Sequence, residues 1–115
     1  VADWPLDDQP VKLSINNGEM YSLPYPVETN DITIMALHHH SSSEFSRRCI
    51  DHFDRLYEES CDITRIMGIS MHTYISGVPH RSKYVEEVFN HIRSKSDVLV
   101  MTGEQILDWY KQQVE

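Results

Sequence analysis

The chain has 115 residues, enough for one domain around one core, and its 40% apolar and 24% charged content is that of an ordinary globular protein. A formal net charge of -8 weighs against a nucleic-acid backbone or an anionic membrane surface as partner. No apolar run approaches the ~20 residues that span a bilayer, and no charged-then-apolar leader is visible, so neither a membrane span nor a signal peptide is expected.

Val1 to Val11 is rich in Asp and Pro and reads as loop, with a strand end at Val1-Ala2. Trp4, between Asp3 and Pro5, is either a pocket wall or a lid over the core, and Asp3, Asp7 and Asp8 are candidate site carboxylates or a solvated acidic loop. Lys12–Ile15 and Met20–Leu23, joined by Asn16-Asn17-Gly18-Glu19, form a candidate hairpin in which Gly18 is free to take positive φ. Ile32 to Leu37 is strand or a short helix capped by Asn30 or Asp31; periodicity does not decide. Asn30-Asp31 is equally a candidate pocket pair.

Ser41 with Glu44 makes a capping-box signature, and Phe45, Cys49, Ile50, Phe53, Leu56 and Tyr57 recur at helical spacing, which predicts a helix from about Ser43 to Ser60. Cys49 falls on its apolar stripe and reads as a buried thiol. Cys49 and Cys61 make neither a CxxC pair nor a disulfide framework, so a reducing, cytoplasmic setting is expected. The run His38-His39-His40 suggests a metal site, but adjacent side chains point in different directions, which favours a solvated loop.

Arg65 to Met71 is a short apolar run that reads as a buried strand, and it ends at His72 before a loop holding Gly77 and Pro79. A histidine at the carboxyl end of a buried strand stands where α/β enzymes place reactive groups; it also suits a strand cap. A helix is predicted from about Ser82 to Ser94, burying Tyr84, Val85, Val88, Phe89 and Ile92. Pro79, His80 and Arg81 either grip an anionic group or open that helix. Val98 to Met101 reads as a second buried strand, and Thr102 with Gln105 caps a last helix bearing Ile106, Leu107, Trp109, Tyr110 and Val114. Helix, strand, helix, strand, helix implies an α/β fold with parallel strands and helices outside. No HExxH, P-loop, GxGxxG or GxSxG motif is present.

Several of these stretches together resemble a known family. They are Asp-Trp-Pro-x-Asp-Asp-Gln-Pro (Asp3–Pro10), Leu-Pro-Tyr (Leu23–Tyr25), Asn30-Asp31, Phe-Asp-x-Leu-Tyr-x-Glu (Phe53–Glu59), Ser-x-His-x-Tyr-Ile-Ser-Gly-x-Pro-His-Arg (Ser70–Arg81) and Thr-Gly-Glu-Gln-Ile-x-x-Trp-Tyr (Thr102–Tyr110). Their order resembles the carboxyl-terminal part of the polysaccharide deacetylases, the NodB-homology enzymes, in the branch of peptidoglycan-deacetylase-like and allantoinase-like members.

The resemblance implies a partial (β/α) barrel as a single domain over residues 1–115, about three β-α units plus an N-terminal loop and hairpin. It implies hydrolysis of a C–N bond in an N-acetylated sugar or a small amide, with His72 as general acid toward the leaving amine. Asp3, Trp4, Asp7, Asp8, Asn30, Asp31, Pro79, His80 and Arg81 would line the pocket. The family's divalent metal, zinc for example, and its base are held by motifs that have no counterpart here, so no metal ligand is assigned in this chain and the 115 residues alone are expected to be inactive. The chain opens on Val1-Ala2-Asp3-Trp4 without an initiator Met, which points to processing or to a piece of something longer. Strands taken from a closed barrel expose sheet edges and an apolar face, so a homo-oligomer is expected. The alternative is a free-standing, non-catalytic binding or assembly module derived from the same fold.

Overall fold

The computed structural model describes residues 2–114. The expected hairpin forms: β2 (Val11–Leu13) runs antiparallel to β3 (Met20–Pro24), with Val11 opposite Ser22 and Leu13 opposite Met20. Gly18 lies in the connecting turn at φ +86°, a left-handed value that suits a residue without Cβ. β1 (Ala2–Trp4) pairs in parallel on the far side of β3, so the order is β1-β3-β2. The strand end expected at Val1-Ala2 therefore reaches Trp4, while Val1 lies outside the described residues. β3, central in the sheet, buries Tyr21, Ser22 and Leu23.

Residues 32–37 are helical rather than extended. Ile32–Leu37 forms a π-helix whose wide turn is closed by the His38 amide donating to Thr33 O at 3.0 Å. Asn30 supplies the cap, because its Oδ1 accepts from the Ile32 amide at 3.0 Å, and the Asp31 side chain turns elsewhere. Ile34 from this turn joins Phe45, Cys49 and Phe53 of α1 (Ser42–Glu59) and Val88 and Ile92 of α2 (Pro79–Arg93) in one buried cluster. The apolar stripe of α1 thus does what its period predicts.

The caps account for the helix starts. Ser41 Oγ accepts from the Glu44 amide at 3.3 Å, but the Glu44 carboxylate binds Arg47 and Arg48 instead of returning to the cap, so this box is half closed. The box of α3 (Gly103–Val114) closes fully: the Thr102 amide donates to Gln105 Oε1 at 2.9 Å and the Gln105 amide to Thr102 Oγ1 at 3.3 Å. α2 begins three residues earlier than expected, because Pro79 occupies its first turn, where a missing N–H costs nothing. Of the five residues expected to be buried along α2, Val88 and Ile92 are; Tyr84, Val85 and Phe89 are half-buried.

Two expected strands are not strands. Residues 65–71 are extended but make one parallel bridge, Asn30 with Ser70, and none of them is fully buried. Residues 98–101 form no ladder, and Leu99 and Val100 are 80% and 81% exposed. An apolar run becomes a buried strand only when neighbouring strands take its amides and carbonyls, and this chain offers 65–71 a partner on one side, at Thr29–Asp31. The alternation of parallel strands and helices is therefore not realised; the fold is mixed α/β, a three-stranded sheet with helices.

Candidate active site

The one bridge made by residues 65–71 positions the site. The Asp31 amide donates to Ser70 O and the Ser70 amide to Thr29 O, each at 3.1 Å, while Thr29 Oγ1 donates to Gly68 O at 2.7 Å. These bonds fix Asp31 two residues from where His72 leaves the extended segment. Asp31 is wholly buried, and its carboxylate takes three contacts of 2.7 Å. Oδ2 accepts the His72 backbone N–H and the Ser76 hydroxyl; Oδ1 faces His72 Nδ1. Burial pushes this carboxyl up, but the donors from His72 and Ser76 outweigh it and hold the group below the usual carboxylate range.

An ionised carboxylate at Nδ1 makes that nitrogen the N–H donor. The neutral ring then presents a bare Nε2, and the protonated ring an N–H there. The His72 side chain is about one-third exposed, while its Nδ1 is taken by the buried Asp31 carboxylate. The Tyr74 ring meets the imidazole edge-on at 5.7 Å between centroids and is itself exposed. The turn carrying both closes through the Ile75 and Ser76 amides, each 2.9 Å from His72 O. Gly77 completes it where a Cβ would lie 2.5 Å from Thr73 O, which leaves room only for glycine.

The other site residues expected from the sequence are dispersed. Asn30 is buried, with its amide nitrogen 3.4 Å from the Tyr25 hydroxyl. Asp7 and Asp8 line a pocket of about 220 Å³ with Tyr25 and Glu28, whereas Asp3 borders a separate apolar cleft of about 710 Å³. Tyr25 borders both, and His72 lines neither. Trp4 is 63% exposed, so it is no lid over the core. Pro79, His80 and Arg81 belong to the first turn of α2 rather than to a loop, and Arg81 Nη1 donates to Ile75 O at 3.4 Å, bracing the His72 turn.

Ser76 is the residue sequence reasoning missed. Its signal was its place four residues after His72, one turn away. Cys49 packs in the core; burial, aided by the nearby Asp31 charge, pushes its thiol up to about 12, which makes it inert. His38, His39 and His40 are exposed, with His39 in a left-handed conformation at φ 54°.

Comparison with known proteins bears on this arrangement. A Schizosaccharomyces pombe protein provisionally named polysaccharide deacetylase is 36% identical over 86 residues, covering 73% of this chain and 27% of its own length. The crystal structure of a probable polysaccharide deacetylase from Pseudomonas aeruginosa superposes with a TM-score of 0.86 at 24% identity, over 96% of this chain and 38% of that one. This chain resembles the polysaccharide deacetylases in sequence and in fold. The crystal structure of Puue allantoinase shares the fold as well, with a TM-score of 0.84 at 23% identity over 91% of this chain and 36% of that one. No family model matches the chain. The chain thus spans well under half the length of each of these relatives.

The divalent metal that the deacetylase resemblance implies does not fit the residues present. Among the described residues no group of three or more His, Cys, Asp or Glu side chains is placed to hold an ion, and both Asp31 oxygens are engaged by His72 and Ser76. Among the described residues no helix is long and apolar enough to cross a membrane.

Proposed function

We propose that this chain is the carboxyl-terminal segment of a polysaccharide-deacetylase-like hydrolase of C–N bonds and supplies its proton donor. The observation that carries this reading is the Asp31–His72 pair, a buried carboxylate holding Nδ1 at 2.7 Å on a partly exposed imidazole, which leaves Nε2 without that restraint. In amide hydrolysis water adds to the carbonyl carbon, and the tetrahedral intermediate collapses when its nitrogen gains a proton and the C–N bond breaks. Imidazolium N–H at His72 Nε2 supplies that proton and is left neutral. The substrate is an N-acetylated sugar or a small amide.

Water activation and carbonyl polarisation come from outside these 115 residues, where a zinc-type metal would be held; the chain alone does not turn over. Two free thiols, Cys49 and Cys61, support a reducing, cytoplasmic setting. The test is acetate release from N-acetylated oligosaccharides, and ring or amide cleavage of small substrates, by the protein read through any frame upstream of Val1. His72→Ala is expected to lower kcat by about 10²–10⁴. Undiminished turnover in that variant sinks the catalytic reading.

A second reading rests on a different observation. Leu99 and Val100 are exposed beside the 710 Å³ apolar cleft, a surface that suits self-association. On that reading the chain is a non-catalytic assembly module and forms a homo-oligomer. Light scattering at micromolar concentration separates the two: a monomer without this face covered argues against the module.

A further inference from the structure

We infer that Ser76 is a positioning residue that sets the tautomer of His72. This rests on the proposed role of the Asp31–His72 pair and assigns the group that makes that pair one-handed. A carboxylate has two oxygens, and a histidine facing it can be met by either after a rotation about the Cβ–Cγ bond. Here Oδ2 is taken twice, by the His72 amide and by the Ser76 hydroxyl, each at 2.7 Å. That leaves Oδ1, uncommitted to any other donor among the described residues, facing Nδ1 at 2.7 Å.

Ser76 is buried, at 3% exposure, and its amide is bonded to His72 O at 2.9 Å, so the backbone that carries the hydroxyl is held in place beside Asp31, and a hydroxyl turned off Oδ2 loses that acceptor without gaining water. A charged acceptor with two fixed donors on one oxygen prefers ionisation and one rotamer. The ring must then carry its hydrogen on Nδ1 when neutral, which leaves Nε2 as the exchanging nitrogen. Without the hydroxyl, Asp31 loses one of its two restraints on Oδ2, and the ring gains access to the Nε2–H tautomer.

The test is long-range ¹H–¹⁵N NMR of the His72 ring in the chain as it stands, at a pH where the ring is neutral. The parent is expected in the Nδ1–H form. Ser76→Ala is expected to lower the Nδ1–H to Nε2–H ratio about tenfold, and Ser76→Thr, which restores a hydroxyl, to return it. Ser22→Ala is the control, because Ser22 Oγ is buried, has no hydrogen-bond partner among the described residues and takes no part in the dyad's hydrogen bonds. A folded Ser76→Ala with the parent ratio overturns the inference. If alanine prevents folding, Ser76→Cys decides, since a thiol donates weakly: a shifted ratio supports the assignment and a parent ratio overturns it. The proposed hydrolase role fails separately, through undiminished turnover of His72→Ala in the longer protein, whatever the tautomer.

Discussion

The two flanks of this molecule use equally apolar sequences to opposite ends. On one flank, α1, α2 and the π-helix seal Ile34, Phe45, Cys49, Phe53, Val88 and Ile92 from water. On the other, residues 65–71 and 98–101 lean Met67, Ile69 and Val98 half-buried against the edge of that cluster and leave Leu99 and Val100 exposed. Composition does not separate them. A helix satisfies its own amides and needs only one neighbour for its stripe, whereas a strand needs neighbours for both its backbone and its faces.

The largest expected effect tests the sealed flank. Phe45→Ala should cost about 4 kcal/mol in urea unfolding, because it opens a cavity in a fully buried cluster. A cost near that of a surface site would mean the two flanks are alike. Asp31→Ala should cost about 3 kcal/mol, since it leaves the His72 amide and the Ser76 hydroxyl without their acceptor. Ser41→Ala should cost about 1 kcal/mol by uncapping α1. Leu99→Ala should move stability by no more than about 0.5 kcal/mol in a dilute monomer, and a larger effect that grows with protein concentration would mark this face as an interface.

Acid sharpens the same contrast. Arg47 and Arg48 hold Glu44 down at about 2, and Asp31 also lies below its ordinary value. For both groups the folded pKa is beneath the unfolded one, so their contribution is complete above about pH 4.3 and is lost as pH falls through the folded values. Thermal melting should hold level from pH 7 to about 5 and drop below about 4, and Glu44→Gln should flatten part of that drop.

The helical half of the fold was legible because its information is local. The spacing Phe45, Cys49, Phe53, Leu56 and the pairs Ser41/Glu44 and Thr102/Gln105 place α1 and α3 without reference to anything distant. The hairpin was legible for the same reason, through Gly18. Residues 65–71 and 98–101 were misread because an apolar run says nothing about whether a second strand lies beside it. The site divided along that line too. His72 stood out by motif, but its partner Asp31 lies 41 residues earlier and was read as a cap or pocket residue. Arg81 likewise looked like an anion grip from its charge, and only its contact with Ile75 O shows it bracing a turn.

The placement of Cys49 behind Asp31 has a practical consequence. The S–H bond of a thiol absorbs in an infrared window that peptide and water leave nearly clear, and its frequency follows the local electric field. Burial and the Asp31 charge both act on the Cys49 thiol, so with the exposed Cys61 replaced by serine the Cys49 sulfhydryl is a label-free voltmeter for the carboxylate, and its band should step when that charge is neutralised.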